Sequence, residues 1–238
     1  MTFVLRGDGV SVAFSTRFGG VSDGAYESLN LGLNTADVPA NVLANRARLC
    51  SDLGLADERI AAARQVHGAG LRCWELDEHP PPFGSGAERS WIEEADGHLT
   101  HAGGLGLLVL VADCFPVALS GGGQVAMLHC GWRGVAAGIL ERAAQEFDAP
   151  PVAFVGPGIG RCCFEVGDEV RARFGDVPEA ASGRMLDLRA VIAARLGAVG
   201  VRAFEHLDLC TSCRSDLFFS HRRDGGVTGR QAAVAWLD

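Results

Sequence analysis

Two apolar runs, each followed by a residue of metal-binding type, constrain this chain most. Leu105 to Val111 holds no polar side chain, and Val125 to Leu128 is equally apolar. Runs without alternation read as strands buried on both faces. Cys114 follows the first run in Ala112-Asp113-Cys114-Phe115-Pro116. His129 follows the second and opens His129-Cys130-Gly131-Trp132-Arg133-Gly134. If those two strands are neighbours, both side chains point at one cleft. His67, in Gln65-Val66-His67-Gly68, ends a third strand-like stretch.

Around these runs the pattern alternates. Val10 to Ser15 reads as a strand that ends in the glycine-rich turn Arg17-Phe18-Gly19-Gly20-Val21-Ser22. Val38 to Leu53 has helical spacing, with Val42, Asn45, Leu49 and Leu53 on nearby turns. Ile60 to His67 and Leu71 to Leu76 read as a strand pair about Gly68-Ala69-Gly70. Val135 to Phe147 and Leu186 to Leu196 read as helices, and Val152 to Val155 and Gln231 to Leu237 as strands. Pro80 to Gly86 is the clearest loop. Hairpin-like steps among helices favour α+β, with mixed sheets flanked by helices, over a doubly wound parallel sheet. At 238 residues and 48% hydrophobic, residues 1–238 are expected to form a single catalytic domain around one large core.

Composition excludes several functions. A net charge of -8 disfavours nucleic acid and anionic membrane surfaces as partners. No apolar run reaches the roughly 18 residues of a membrane span, and the N-terminus does not read as a signal peptide. The eight cysteines are not spaced like a secreted scaffold, so a reducing cytoplasm is expected. All 21 basic residues are arginine, which removes Schiff-base chemistry and any phosphate loop that needs lysine. Anions must be held by arginine, backbone N–H groups or a metal.

A strand histidine is ordinarily structural, and a free cysteine ordinarily a small buried hydrophobe. Three such groups at strand ends are a different matter. Two imidazoles and a thiolate suit zinc with an open fourth position. The same set describes a blue-copper site, for which Met127 could supply an axial ligand. His98-Leu99-Thr100-His101 reads as a polar loop. Cys162-Cys163 and Cys210-Thr211-Ser212-Cys213 read as inert, because no second Cys-x-x-Cys completes a zinc site. Gly156-Pro157-Gly158-Ile159-Gly160 lacks dinucleotide-loop spacing and reads as structural. Arg17, Arg46, Arg133, Arg222 and Arg223 stand in motif contexts that suggest a local anion site.

Taken together, several segments resemble one family. They include Ser15 to Ser22, Asn30-Leu31-Gly32, Asn45-Arg46, Gln65 to Gly68, Ala95-Asp96-Gly97, Ala112-Asp113-Cys114 and His129 to Gly134. Gly156 to Gly160, Phe164 to Gly167, Phe218 to Asp224 and Thr228-Gly229-Arg230 complete the series. The chain is similar to the YfiH-like, laccase-domain purine nucleoside phosphorylase family. That resemblance implies an α+β fold and zinc, with copper as the older assignment, at His67, Cys114 and His129. It implies a cytoplasmic enzyme, monomer or homodimer, that splits adenosine, inosine, guanosine and methylthioadenosine with phosphate and also deaminates adenosine. Arg46 is expected in the catalytic set with the three ligands. Arg17, Asp113, Arg133 and His221 are expected on the substrate side, with Asp113 or His221 as acid or base. Deamination rests on resemblance alone, since the His-x-Glu and Pro-Cys-x-x-Cys signature of zinc nucleobase deaminases is absent. Two other enzyme classes stay open: a cysteine hydrolase or deamidase built on Cys114 and His129, and a copper polyphenol oxidase.

Overall fold

The computed structural model describes residues 2–7, 9–75, 77–85, 93–201 and 203–238. Leu76 and Gly86, the ends of an expected strand and loop, lie outside them. The first half runs β1 (Thr2–Gly7), β2 (Val10–Ser15), α1 (Pro39–Leu53), β3 (Ile60–Ala61), β4 (Leu71–Trp74), β5 (Gly97–Thr100) and β6 (Gly106–Val111). The middle runs β7 (Phe115–Gly121), β8 (Gln124–Cys130), α2 (Trp132–Ala136), α3 (Ile139–Ala144) and β9 (Val152–Val155). The remainder is α4 (Asp168–Arg171), β10 (Ala181–Ser182), β11 (Met185–Leu186), α5 (Leu188–Ala198), β12 (Phe204–His206) and β13 (Gln231–Leu237).

Two mixed sheets stack face to face. One has the order β1-β2-β13-β6-β3, the other β12-β9-β7-β8-β5-β4. The pairs β3–β6, β4–β5 and β9–β12 are parallel, and the other pairs in these two sheets are antiparallel. Alternation along each central strand shows why the apolar runs are continuous. On β6, Leu107, Val109 and Val111 face the layer between the sheets, while Leu108 packs toward α1 with Leu49 and Cys50. On β8, Val125 and Met127 enter the same middle layer, while Ala126, Leu128 and Cys130 pack against Val135, Ile139 and Leu140 of α2 and α3. A strand covered on both faces needs an apolar residue at every position, and each large side chain buried contributes about 1.5–3 kcal/mol. The result is four layers, α1, sheet, sheet, helices, which is the α+β architecture expected from the sequence. No helix of the described residues is long and apolar enough to cross a membrane.

Four local expectations are corrected. Ile60 to His67 and Leu71 to Leu76 do not form a strand pair. β3 keeps two residues and joins one sheet, while β4 joins the other. The helix expected over Val135 to Phe147 starts at Trp132 and breaks, because Gly138 takes a left-handed φ of 84° between α2 and α3. His98 is not on a polar loop. It lies in β5, fully buried, accepting a hydrogen bond at its Nδ1 from Trp74 Nε1 at 3.2 Å. Met127 is committed to the core between the sheets and stands outside the His67, Cys114 and His129 cluster.

Candidate functional site

Cys114 and His129 do meet, but not because β6 and β8 are paired. Those strands belong to different sheets. Cys114 sits on the turn from β6 into β7, and β7 pairs antiparallel with β8 in a register that sets Phe115 opposite Cys130 and Pro116 opposite His129. Register across one sheet therefore carries the cysteine to the histidine. His67 arrives from a loop, with a left-handed φ of 60°. Asp113, beside Cys114, has a φ of 89°. Such backbone costs on the order of 1–3 kcal/mol and persists where surroundings hold it.

The holding groups are visible. The buried Asp96 carboxylate accepts from the backbone N–H groups of Val66 (3.1 Å), His67 (3.0 Å) and Gly68 (2.7 Å). The same carboxylate lies 2.7 Å from His129 Nδ1. One group thus fixes the His67 loop and turns the other nitrogen of His129 toward Cys114. Burial alone raises the Asp96 pKa; the His129 and Gly68 hydrogen bonds outweigh it and hold the acid below its ordinary value. Asp113 plays a parallel part. Its carboxylate accepts from Thr211 Oγ1 and from the Arg222 N–H, both at 2.7 Å, so both oxygens are engaged by the chain itself.

The ligand atoms of His67, Cys114 and His129 lie within 4.8 Å of one another. The imidazoles meet edge to face with ring centres 4.8 Å apart. Burial alone raises the Cys114 pKa, yet the His129 and His67 imidazoles bring it down to about 6. Burial alone lowers His129, yet Cys114 and Asp96 carry it up to about 9. A thiolate beside imidazoles is a donor set that suits zinc, with bonds of about 2.0–2.3 Å. The surroundings fit as well. A Cβ at Gly131 would stand 2.9 Å from Cys114 Sγ and 3.2 Å from His67 Cδ2, so only glycine leaves the cradle open. A Cβ at Gly134 would meet the Gly68 carbonyl at 2.6 Å, so its absence lets α2 press on the His67 loop.

These groups open onto a cavity of about 820 Å³, large enough for a drug-sized ligand. Its wall includes Arg46, Asp113, Trp132, Arg133, His221, Arg222 and Arg230. Arg46, only 2% exposed, donates from Nε to the Leu31 carbonyl and from a terminal nitrogen to the Phe83 carbonyl, both at 2.9 Å, and stacks on the Phe83 ring. Arg133 is exposed and rests on the Trp132 ring at 4.6 Å. Among the described residues its guanidinium makes no hydrogen bond to the chain, unlike those of Arg46, Arg222 and Arg230. Arg17 does not line the cavity. Its guanidinium holds the Glu27 carbonyl at 2.7 Å and the Ser215 carbonyl at 3.1 Å, and lies over Phe219. Its turn is a structural knot, tied further by Asn45, whose amide reaches Ser22, Ser28, Asn30 and Val21.

Sequence reasoning passed over Asp96 as a site residue and gave Arg230 no role. A lone acidic residue before glycine carries no local signal of what it will hold. Both were visible only inside longer matched segments.

The family described as "Multi-copper polyphenol oxidoreductase laccase" matches residues 11–238. Purine nucleoside phosphorylase YfiH of Escherichia coli (strain K12) is 37% identical over 242 residues, covering 96% of this chain and 94% of that protein. The crystal structure of Bacillus licheniformis hypothetical protein YfiH is similar with a TM-score of 0.88 at 31% identity, covering 96% of this chain and 93% of that one. That of YlmD from Geobacillus stearothermophilus gives 0.86 at 34% identity, covering 96% and 92%. Nearly full-length similarity in both sequence and fold shows that the chain belongs to the YfiH-like, laccase-domain family.

Proposed function

We propose that residues 1–238 act as one catalytic domain, a zinc-dependent purine nucleoside phosphorylase. Its substrates are adenosine, inosine, guanosine or methylthioadenosine together with phosphate, and adenosine deamination is a side activity. One observation carries the reading: His67, Cys114 and His129 converge at the wall of an arginine-lined cavity of about 820 Å³. Relatives that bear the name purine nucleoside phosphorylase support it.

His67, Cys114 and His129 would hold the ion, which supplies a Lewis acid beside the substrate. The roles of the chain's own residues follow from their engagements. Arg133, whose guanidinium has no hydrogen-bond partner among the described residues, is the best placed to hold phosphate. Phosphorolysis builds positive charge on the ribose, and a phosphate held in line serves as nucleophile and counter-charge. Arg46 and Arg230 shape the wall and add positive potential while their donors remain on backbone carbonyls. His221, exposed on the cavity wall, is the acid–base group we favour. Asp113 is a positioning residue, because both its oxygens are engaged. Trp132 and Phe164 offer aromatic surface for a purine.

The side-chain hydrogen bond between Cys114 and His129 also favours a second reading, a thiolate–imidazolium dyad of a cysteine hydrolase. Copper-dependent phenol oxidation is the third and gains no further support from the site. Metal-quantified protein incubated with adenosine, with and without phosphate, decides among them. Adenine and ribose-1-phosphate that appear only with phosphate, at one catalytic zinc per chain, support phosphorolysis; inosine without phosphate adds deamination. Turnover that depends on copper and consumes oxygen would overturn it, as would no turnover of any of the four nucleosides by zinc-loaded protein.

A further inference from the structure

Cys162 and Cys163 lie on the turn after the Gly156-to-Gly160 loop, and Cys210 and Cys213 lie on a turn 47 or more residues further along the chain. The two turns dock. Gly158 forms a β-bridge with Cys210, and the Thr211 N–H donates to the Gly158 carbonyl at 3.0 Å. Docking brings all four sulfurs within 4.8 Å of one another. Cys213 Sγ lies 3.4 Å from both Cys162 Sγ and Cys163 Sγ. The sequence-based expectation that these pairs are inert assumed that no second pair would meet Cys210 and Cys213. The adjacent cysteines supply it, because their turn lets both sulfurs face one point.

We propose that Cys162, Cys163, Cys210 and Cys213 form a second metal site, which binds one zinc ion through four thiolates. Three observations and one contrast support it. Sulfurs around a tetrahedral ion with bonds of about 2.3 Å stand about 3.8 Å apart, inside the span observed here. A disulfide, by contrast, joins two sulfurs at about 2.05 Å and gives the other two no reason to gather. Cys210 Sγ accepts the Gly160 N–H at 3.1 Å, the kind of outer hydrogen bond that favours a metal-bound thiolate. A Cβ at Gly160 would stand 3.1 Å from Cys210 Cβ and 3.2 Å from Cys162 Sγ, so the missing side chain is part of the cradle.

The site has a mechanical consequence. Thr211, inside the second turn, donates to Asp113 beside Cys114. Arg223 donates to the Thr211 carbonyl at 3.0 Å and to the Ser212 carbonyl at 3.3 Å. Arg222, on the cavity wall, donates to the Glu165 carbonyl at 2.8 Å. An ion across the two turns would lock the cavity wall that carries Ile159, His221 and Arg222. Four protein ligands leave no open position, so this is a structural clamp rather than a second reaction centre.

The test counts metal in reduced protein stripped of metal, reloaded with Zn²⁺ and freed of excess by gel filtration. Cys114→Ala is expected to retain one zinc per chain, and Cys162→Ser/Cys213→Ser to lose one relative to the parent protein. If the double variant does not fold, cobalt-loaded Cys114→Ala is read instead. Its near-ultraviolet thiolate-to-cobalt absorption is expected to persist with the intensity of four thiolates. A Cys114→Ala protein without zinc and without that absorption overturns the proposal. So does peptide mapping that finds Cys213 in a disulfide in the zinc-loaded parent protein. Neither readout depends on nucleoside turnover, so failure of the proposed activity leaves this test intact.

Discussion

The two sulfur-bearing clusters differ in ligand type, surroundings and support. His67, Cys114 and His129 mix nitrogen with sulfur, face a cavity, and are oriented by the carboxylate of Asp96. The four cysteines offer sulfur alone, sit partly exposed between two turns, and are supported by a backbone N–H. A mixed set with three members leaves room for substrate, whereas four thiolates close an ion off from it. The contrast teaches that similar donors are held differently: a carboxylate stands behind a histidine in the cavity cluster, and a backbone N–H behind a thiolate in the other.

The largest expected effect tests whether the cavity cluster alone carries activity. Cys114→Ala should lower phosphorolysis about a thousandfold, since a Lewis acid is worth several kcal/mol at the transition state. A variant that keeps the parent's full zinc content, the cavity ion included, together with phosphorolysis would break the site assignment. Next comes the acid stability of the metal-free protein, to which a histidine buried in the core contributes. His98 lies in β5, two residues after Asp96, and burial, aided by the Arg72 charge, lowers its pKa to about 4. An unfolded histidine titrates near 6.5, so the unfolded chain binds more protons between those values. The contribution is therefore whole above about pH 6.5 and is lost as pH falls toward about 4, on the order of 3 kcal/mol. Urea unfolding of metal-free parent and His98→Gln proteins should show a stability gap that narrows from neutral to acid pH; a constant gap would refute it.

Smaller effects sharpen the contrast. Asp96→Asn should weaken zinc in the cavity by about 10- to 100-fold, read by competition with a chelator, and leave the cysteine cluster's metal in place. Equal weakening at both clusters would show a global defect instead. Arg133→Ala should raise the KM for phosphate about tenfold with little change in kcat, the loss of one charge-assisted contact. Arg17→Ala should leave that KM unchanged and cost about 1 kcal/mol in unfolding free energy. An Arg17 variant with the larger KM effect would reverse the assignment of the two arginines.

Elements with a strong apolar pattern, periodic or continuous, were legible in the chain. β2, β6, β8, β9, β13, α1 and α5 lie where the apolar pattern expected them, within a few residues. The stretch from Ile60 to Leu76 misled, because Ile60–Ala61 and Leu71–Trp74 serve two different sheets and no local signal says so. β7, opened by Phe115-Pro116, was hidden behind the turn chemistry that precedes it. Of the candidate site residues, His67, Cys114, His129, Arg46, Asp113, Arg133 and His221 do share one cavity. Arg17 does not, since a guanidinium in a glycine-rich turn serves the turn's own carbonyls as readily as an anion.

The sequence by itself determined which chemistry is open to this protein. It set soft and borderline donors after apolar runs, arginine as its only cationic side chain apart from protonated histidine, and glycine where a ligand cradle admits no Cβ. Those are properties of residue type and local spacing. Tertiary structure alone decided which donors meet. Cys114 reaches His129 through the β7–β8 register, Asp96 turns His129 and binds the His67 loop, and two inert-looking cysteine pairs close into one cluster. Those meetings depend on strand pairing and turn docking across long stretches of chain, where burial of both sheets outweighs any local preference.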